Sequence, residues 1–325
     1  MNNNIISLVK IPDSIVSKIY LKLFREKNSL MIFLFHGLFK DEKESSSNVV
    51  NPQYWITVKQ FQQFIEYYLN HDYKFVSPED LLNNLTVDKK YIMITFDDGY
   101  FSNQYALPVL KKYNIPAIFF ISTDHVKYNK CFWWDVLYRE MKNLNKSKKE
   151  IIKEQKLLKT KTNQEIEAYL KNRFGEKAII PECDIDRPFN QTELKEFSKE
   201  KYVFLGNHTS DHSILINYPK DLIKSQILEA QNRLYEITGI TPSIISYPNG
   251  AVSDEIIEIS KEIGLKLGIT TEFKKNYLPL DCKNNNCMKL GRYVLSGSDD
   301  ILKQCELFRS DILLYTRLWN SLSKR

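Results

Sequence analysis

An α/β fold built on a parallel sheet or barrel is the architecture that this sequence predicts. Short β-branched and aromatic runs alternate with longer stretches of helical periodicity, the pattern of repeated βα units. Several strand-like runs also end in polar turns, where a parallel barrel gathers its functional loops. With 325 residues, 43% of them hydrophobic and 13% aromatic, the chain can bury a substantial core.

The strand signals run in order along the chain. They are "SLMIFLF" at Ser29–Phe35, "YKFVS" at Tyr73–Ser77, "YIMITF" at Tyr91–Phe96 and "AIFFIS" at Ala117–Ser122. "YVFLG" at Tyr202–Gly206, "SIISY" at Ser243–Tyr247, "LKLGIT" at Leu265–Thr270 and "MKLGRYVL" at Met288–Leu295 follow. Helices fall between most of them. "TVKQFQQFIEYYLNH" puts Val58, Phe61, Phe64 and Ile65 on one face; "PKDLIKSQILEAQNRLYEITG" does the same with Ile223, Ile227, Ala230, Leu234 and Ile237, and Gly239 supplies its stop.

The rhythm breaks between about 124 and 190, where an aromatic cluster at Phe132, Trp133 and Trp134 opens a Lys- and Glu-rich helical stretch. This segment reads as a helical insertion in a barrel spanning 29–298. Residues 1–28 and 299–325 hold amphipathic helices, "DSIVSKIYLKLFREK" and "DILLYTRLWNSLSKR". Packing on the domain is the expectation for both, with peripheral membrane contact as the alternative.

The net charge of +6 comes from dispersed lysines rather than one basic block, which argues against nucleic acid as a partner. No segment reaches the roughly 20 apolar residues of a membrane span. The start "MNNNIISLVKIPDS" lacks the features of a secretory signal, so a cytoplasmic setting, against the inner face of a membrane if the ends bind lipid, is expected. Five scattered cysteines fit reduced thiols, and the close pair Cys282 and Cys287 reads as two incidental thiols in a polar loop.

Asp97 and Asp98 end the run "YIMITFDDG". Side chains alternate along a strand, so adjacent carboxylates at its end point apart and can do different work. One could ligate a divalent metal while the other takes a proton from water. A second strand-like run leads into "LGNHTSDHS", where a spacing of four places His208 and His212 on one face of a helical turn. With Asp98 they would form a three-ligand site with open positions, as in catalytic metal centres. A third run ends in "YPNG", whose turn could offer a backbone N–H, most naturally at Asn249, to a developing oxyanion.

In that order "TFDDG", "HTSDH" and "YPNG" resemble the first three motifs of the polysaccharide deacetylase family, the NodB-homology or carbohydrate esterase family 4 enzymes. The resemblance runs from about Phe33 to Val294. It implies a distorted (β/α) barrel, a divalent metal that is usually zinc, and hydrolysis of an N-acetyl group on an amino sugar. It assigns Asp97 as general base, Asp98, His208 and His212 as metal ligands, and the turn at Tyr247, Pro248 and Asn249 to the oxyanion and substrate.

Two departures from the family pattern stand out. Many members carry in the third motif an arginine that orients the base, where this chain has Ser246; Arg292 is the expected substitute. The C-terminal histidine that serves many members as general acid is absent, because no histidine follows His212. His36, at the end of the first strand, is the expected replacement, as in the biofilm-exopolysaccharide branch. Trp133 and Trp134 either stack on a sugar or seat the insertion. The expected function is a metal-dependent N-deacetylase acting on an acetylated amino sugar in surface-glycan assembly. The alternatives are an O-acetyl esterase and a glycan-binding protein without turnover.

Overall fold

The computed structural model describes residues 15–310 apart from 25 and 84. The C-terminal helix expected in 311–325 lies outside the described residues. The strands are β1 Ser29–Phe35, β2 Leu38–Phe39, β3 Ile56–Thr57, β4 Tyr73–Phe75, β5 Lys90–Phe96 and β6 Ala117–Ile121, followed by β7 Val203–Asn207, β8 Ile244–Ser246, β9 Leu267–Ile269, β10 Asn276–Tyr277 and β11 Tyr293–Val294. Nine of them form one curled sheet in the order β10-β1-β5-β6-β7-β8-β9, with β4 beside β5 and β11 beside β1. Among the described strands only β10 runs antiparallel to its neighbour; β2 and β3 pair separately.

The apolar runs are continuous because both faces of the sheet are covered. In β1, Met31, Phe33 and Phe35 pack into one cluster while Leu30 and Ile32 pack into another; β5 repeats the alternation with Ile92, Ile94 and Phe96 against Tyr91 and Met93. Helix Val58–Leu69 covers the first cluster with Phe61, Phe64, Ile65 and Tyr68, and starts at a reciprocal capping box between Thr57 and Gln60. Phe64 meets Phe33 edge-on at 4.8 Å. Burial of side chains of this size stabilises the fold by about 1.5–3 kcal/mol each. Helix Lys220–Thr238 ends at Gly239 in the left-handed region, φ 74°.

The strand expected over Met288–Leu295 is realised only at Tyr293–Val294. Upstream, the Asn276 side chain takes both the N–H and the carbonyl of Gly291, in place of a strand neighbour. The short segment nonetheless touches both sides of the sheet: Leu290 bridges to Ile269, while Tyr293 and Val294 pair with Phe33 and Leu34. Arg292 is thereby carried into the barrel's interior. Before it, the turn Lys283–Met288 brings Cys282 and Cys287 to a Cα separation of 4.7 Å, and the two are joined as a disulfide, which corrects the reading of them as free thiols. Cys131, Cys183 and Cys305 are free.

Between β6 and β7 the chain forms helices Trp133–Asn143, Lys148–Leu158 and Asn163–Phe174, which share a core of Val136, Leu137, Met141, Ile151, Leu158, Ile166 and Leu170. Arg139 in the first of them holds Asp186 at 2.7 Å, a buried pair that ties the outgoing helix to the returning chain. The N-terminal helix spans 15–23 and meets helix Ile301–Ser310 through Ser17 and Ser310, Oγ to Oγ 2.8 Å, with Ile15, Ile19 and Leu23 facing outward. Among the described residues no helix is long and apolar enough to cross a membrane.

Candidate active site

The turn after β5 separates the two carboxylates. Asp97 still follows the strand, its N–H donating to the Phe35 carbonyl at 2.9 Å. Asp98 then adopts φ 78° and Gly99 φ 87°, which swings the second carboxylate away from the first. A left-handed conformation at a non-glycine residue costs on the order of 1–3 kcal/mol and is kept where the surroundings impose it. Both aspartates are buried.

Asp97 is held by Arg292 in a two-pronged contact, Nη1 to Oδ1 at 2.8 Å and Nη2 to Oδ2 at 2.5 Å. The same guanidinium donates to Ser246 Oγ at 3.0 Å and to Thr95 Oγ1 at 3.3 Å, and Ser246 Oγ donates to Asp97 Oδ2 at 3.2 Å. Burial by itself would raise the Asp97 carboxyl, but the charge of Arg292, with His208 and the Arg292 hydrogen bonds, brings it down to about 2. The expected substitute arginine therefore lies against the expected base, and Ser246 bridges them.

Asp98 faces the histidines. Its Oδ1 lies 3.4 Å from Nε2 of both His208 and His212, and its Oδ2 lies 4.0 Å from His36 Nε2. His208 Nδ1 donates to the Ser246 carbonyl at 2.7 Å, which turns Nε2 toward Asp98. The two ligand candidates do not sit on a helical turn as their spacing suggests. Residues 208–214 form a loop with Thr209 at φ 63° and His212 at φ 48°. Asn207 Oδ1 accepts from Thr209 N–H and Thr209 Oγ1 from Ser213 N–H, so side chains take the backbone bonds that a helix would have made. Burial opposes protonation at all three site histidines. Asp97 and Asp98 outweigh it at His208, whose pKa is raised, whereas those of His36 and His212 are lowered.

The donor set fits a divalent cation. Both Asp98 oxygens and His208 Nε2 are buried with no hydrogen-bond partner among the described residues, a costly state for a carboxylate that a cation would relieve. The ligand atoms of Asp98, His208 and His212 lie within 4.8 Å of one another. Ligands about 2.0–2.2 Å from zinc sit roughly 3.4 Å apart at tetrahedral angles, matching the two Asp98–histidine distances.

Above this cluster opens a cleft of about 360 Å³, lined among others by His36, Tyr54, Trp133, Trp134, Lys159 and Asn249. Trp133 packs into the insertion's core, as the seating role expects, and Trp134 stands 4.5 Å from the His212 ring; both side chains line the cleft. Asn249, at φ 59°, is the second residue of a one-turn 3-10 segment opened by Pro248; the Gly250 N–H donates to the Tyr247 carbonyl at 2.7 Å, which leaves the Asn249 N–H as the turn's candidate donor. Its Oδ1 accepts from Lys159 Nζ at 2.8 Å, a bridge from the insertion to the barrel rim. Tyr247 and Pro248 do not line the cleft, which corrects their expected place beside substrate. The Tyr247 ring is buried among Ile256, Ile259 and Leu265, its N–H donates to the Ile269 carbonyl at 3.1 Å, and Pro248 is buried and has no N–H.

Sequence reasoning missed Tyr54, Tyr100, Asp135, Gln155 and Lys159. Tyr54 stacks on His36 with ring centres 5.7 Å apart, and Gln155 and Lys159 reach the cleft from the insertion. The aromatic pair of "NPQYW" and the acid after the tryptophans in "FWWD" were the available signals. His125 stacks on Phe132 and lies 3.6 Å from Asp211, outside the ligand cluster; His71 Nδ1 meets the Tyr67 carbonyl at the end of its helix.

A curled, mostly parallel half-barrel with a carboxylate and two histidines at its rim, beside a second carboxylate fixed by arginine, is a distorted (β/α) barrel with a candidate catalytic cleft. The chain belongs to the polysaccharide deacetylase family, whose sequence model matches residues 84–268. It is 26% identical over 267 residues to the poly-beta-1,6-N-acetyl-D-glucosamine N-deacetylase of Staphylococcus aureus (strain NCTC 8325), covering 78% of this chain and 76% of that one. It is 23% identical over 248 residues to the Bacillus subtilis protein YxkH, named as a polysaccharide deacetylase, covering 75% of this chain but only 64% of that protein's length. Solved structures share the fold. Streptococcus pyogenes deacetylase PplD in complex with acetate aligns with a TM-score of 0.60 at 17% identity over 87% of this chain and 99% of that one. IcaB from Ammonifex degensii aligns at 0.58 and 18% identity over 88% and 98%.

Proposed function

We propose that this chain is a metal-dependent hydrolase that removes the N-acetyl group from an acetamido sugar, within a surface polysaccharide or its lipid- or nucleotide-linked precursor. The observation that carries the reading is the division between the carboxylates: Asp97 is kept ionised by Arg292, while Asp98 is left without a partner among His208 and His212. Asp98, His208 and His212 would hold the cation, with zinc the proposed ion. Bound there, it supplies Lewis-acid polarisation of an amide carbonyl and of water.

The chain's own residues supply the rest. Asp97 accepts a proton from the attacking water, and its low pKa keeps it in the basic form at neutral pH. The Asn249 N–H donates to the oxygen that gains charge as the carbonyl carbon becomes tetrahedral. The proton taken by Asp97 passes to His36, on the other side of Asp98, and from there to the departing amine nitrogen. The C–N bond breaks, acetate and the free amino sugar leave, and His36 returns to its neutral form. Tyr54, Trp133 and Trp134 offer aromatic faces to the sugar ring.

The Staphylococcus aureus relative makes partially acetylated β-1,6-linked N-acetylglucosamine oligomers the first substrates to try. The test is acetate release, with appearance of a primary amine, from a panel of such oligomers, nucleotide sugars, lipid-linked acetamido sugars and O-acetylated counterparts of each. Acetate without new amine would favour the O-acetyl esterase reading; neither product from any substrate would favour the glycan-binding reading.

A further inference from the structure

A buried carboxylate of the insertion reaches both aromatic walls of the cleft. Asp135 lies in the first turn of helix Trp133–Asn143 and is fully buried. Its Oδ2 accepts from the Tyr100 hydroxyl at 2.5 Å, and that hydroxyl accepts in turn from Trp134 Nε1 at 3.0 Å. Trp134 thus has its indole fixed where its ring stands 4.5 Å from the candidate ligand His212. Asp135 Oδ1 accepts from the Asn51 N–H at 2.8 Å. Asn51 is the anchor of the short loop carrying Tyr54, which sits at φ 72° with its ring stacked on His36. A bulky residue in the left-handed region needs its neighbours to hold it there.

We infer that Asp135 is a positioning residue for the deacetylation proposed above. Through Tyr100 and Trp134 it orients His212, and through Asn51 and Tyr54 it orients His36. One carboxylate accepts both hydrogen bonds, so the two arms share one anchor. The insertion then does more than enlarge the protein: it sets the walls of a site whose ligands all come from the barrel. The inference rests on the proposed function, because the two histidines matter to turnover only under that reading.

Tyr100→Phe removes only the bridging hydroxyl and keeps the ring packed against Phe132 and Trp55. Asp135→Ala releases both arms, and Asp135→Asn keeps one acceptor. Val136→Ala, in the insertion's own core, serves as a control for simple destabilisation. Kinetics of acetate release, melting temperature and the near-UV circular dichroism of the metal-free proteins are measured for each. Tyr100→Phe is expected to lower kcat by about tenfold or more with KM nearly unchanged, and Asp135→Ala to lower kcat further and raise KM; misplaced groups cost rate on this scale. Asp135→Asn should fall between Asp135→Ala and the parent. The tryptophan bands should weaken in Tyr100→Phe but not in Val136→Ala.

Kinetic constants in Tyr100→Phe equal to those of Val136→Ala, or tryptophan bands equal to the parent's, would overturn the inference. Should Asp135→Ala fail to fold, Tyr100→Phe decides alone. An inactive parent would strike down the proposed function itself. The spectra of metal-free protein would then still decide whether Asp135 fixes Trp134 through Tyr100, weakened bands in Tyr100→Phe upholding it and unchanged bands overturning it.

Discussion

Arg292 and Asp97, 195 residues apart in sequence, meet as a buried two-pronged pair that lines the cleft. Such a pair is worth little if replaced as a whole, yet loss of one member strands the other charge. Arg292→Met should therefore destabilise the fold by about 3–5 kcal/mol at neutral pH, measured by urea unfolding.

The same pair sets a pH dependence. Asp97 has a folded pKa of about 2, below the roughly 3.9 of an unfolded aspartate. Its contribution to stability is thus present above about 3.9 and is lost as pH falls toward 2. Without the guanidinium, burial raises the carboxyl instead, so the acid limb of the kcat/KM profile should move upward in Arg292→Met. An unmoved limb would show that Asp97 is not the base whose ionisation that limb reports.

Metal binding can be read without turnover. Zinc added to chelator-treated protein should raise the melting temperature, because an ion at 100 times its Kd stabilises by about 2.7 kcal/mol. Asp98→Asn and His212→Ala should remove most of that shift. A full shift in both variants would place the ion elsewhere.

His36→Gln should lower kcat by about 10²- to 10⁴-fold, the range for a general acid, while zinc-dependent stabilisation persists. Loss of that stabilisation as well would make His36 a ligand rather than a proton donor.

Gly37 marks a steric limit at the cleft. A Cβ there would lie 2.2 Å from the Trp55 indole. Gly37→Ala should displace Trp55 and cost about 1–3 kcal/mol, checked by melting temperature.

The parts of this molecule that were legible in sequence are those whose cause is local. β1 matched its run residue for residue, because a strand buried on both faces is apolar along nearly its whole length, here from Leu30 to Phe35. Asp97, Asp98, His208 and His212 stood out because strand ends deliver side chains to one rim. The loop holding the histidines was misread as a helical turn, since side-chain to backbone bonds from Asn207 and Thr209 settle it and spacing does not show them. Tyr247 was misplaced because one residue of register decides whether a ring enters the core or the cleft. Asp135 and Tyr54 carry only weak local signals, an acid after two tryptophans and one member of an aromatic pair, because the Asn51–Asp135 bond joins a helix of the insertion to a loop 84 residues away.

The most direct test of the account is acetate released from an N-acetylglucosamine oligomer by zinc-loaded protein, compared with Asp97→Asn under the same conditions. Release by the parent should be abolished by a chelator and restored by zinc, and the variant should still gain stability from zinc but lose at least about 10²-fold in rate. A variant as active as the parent would contradict the account.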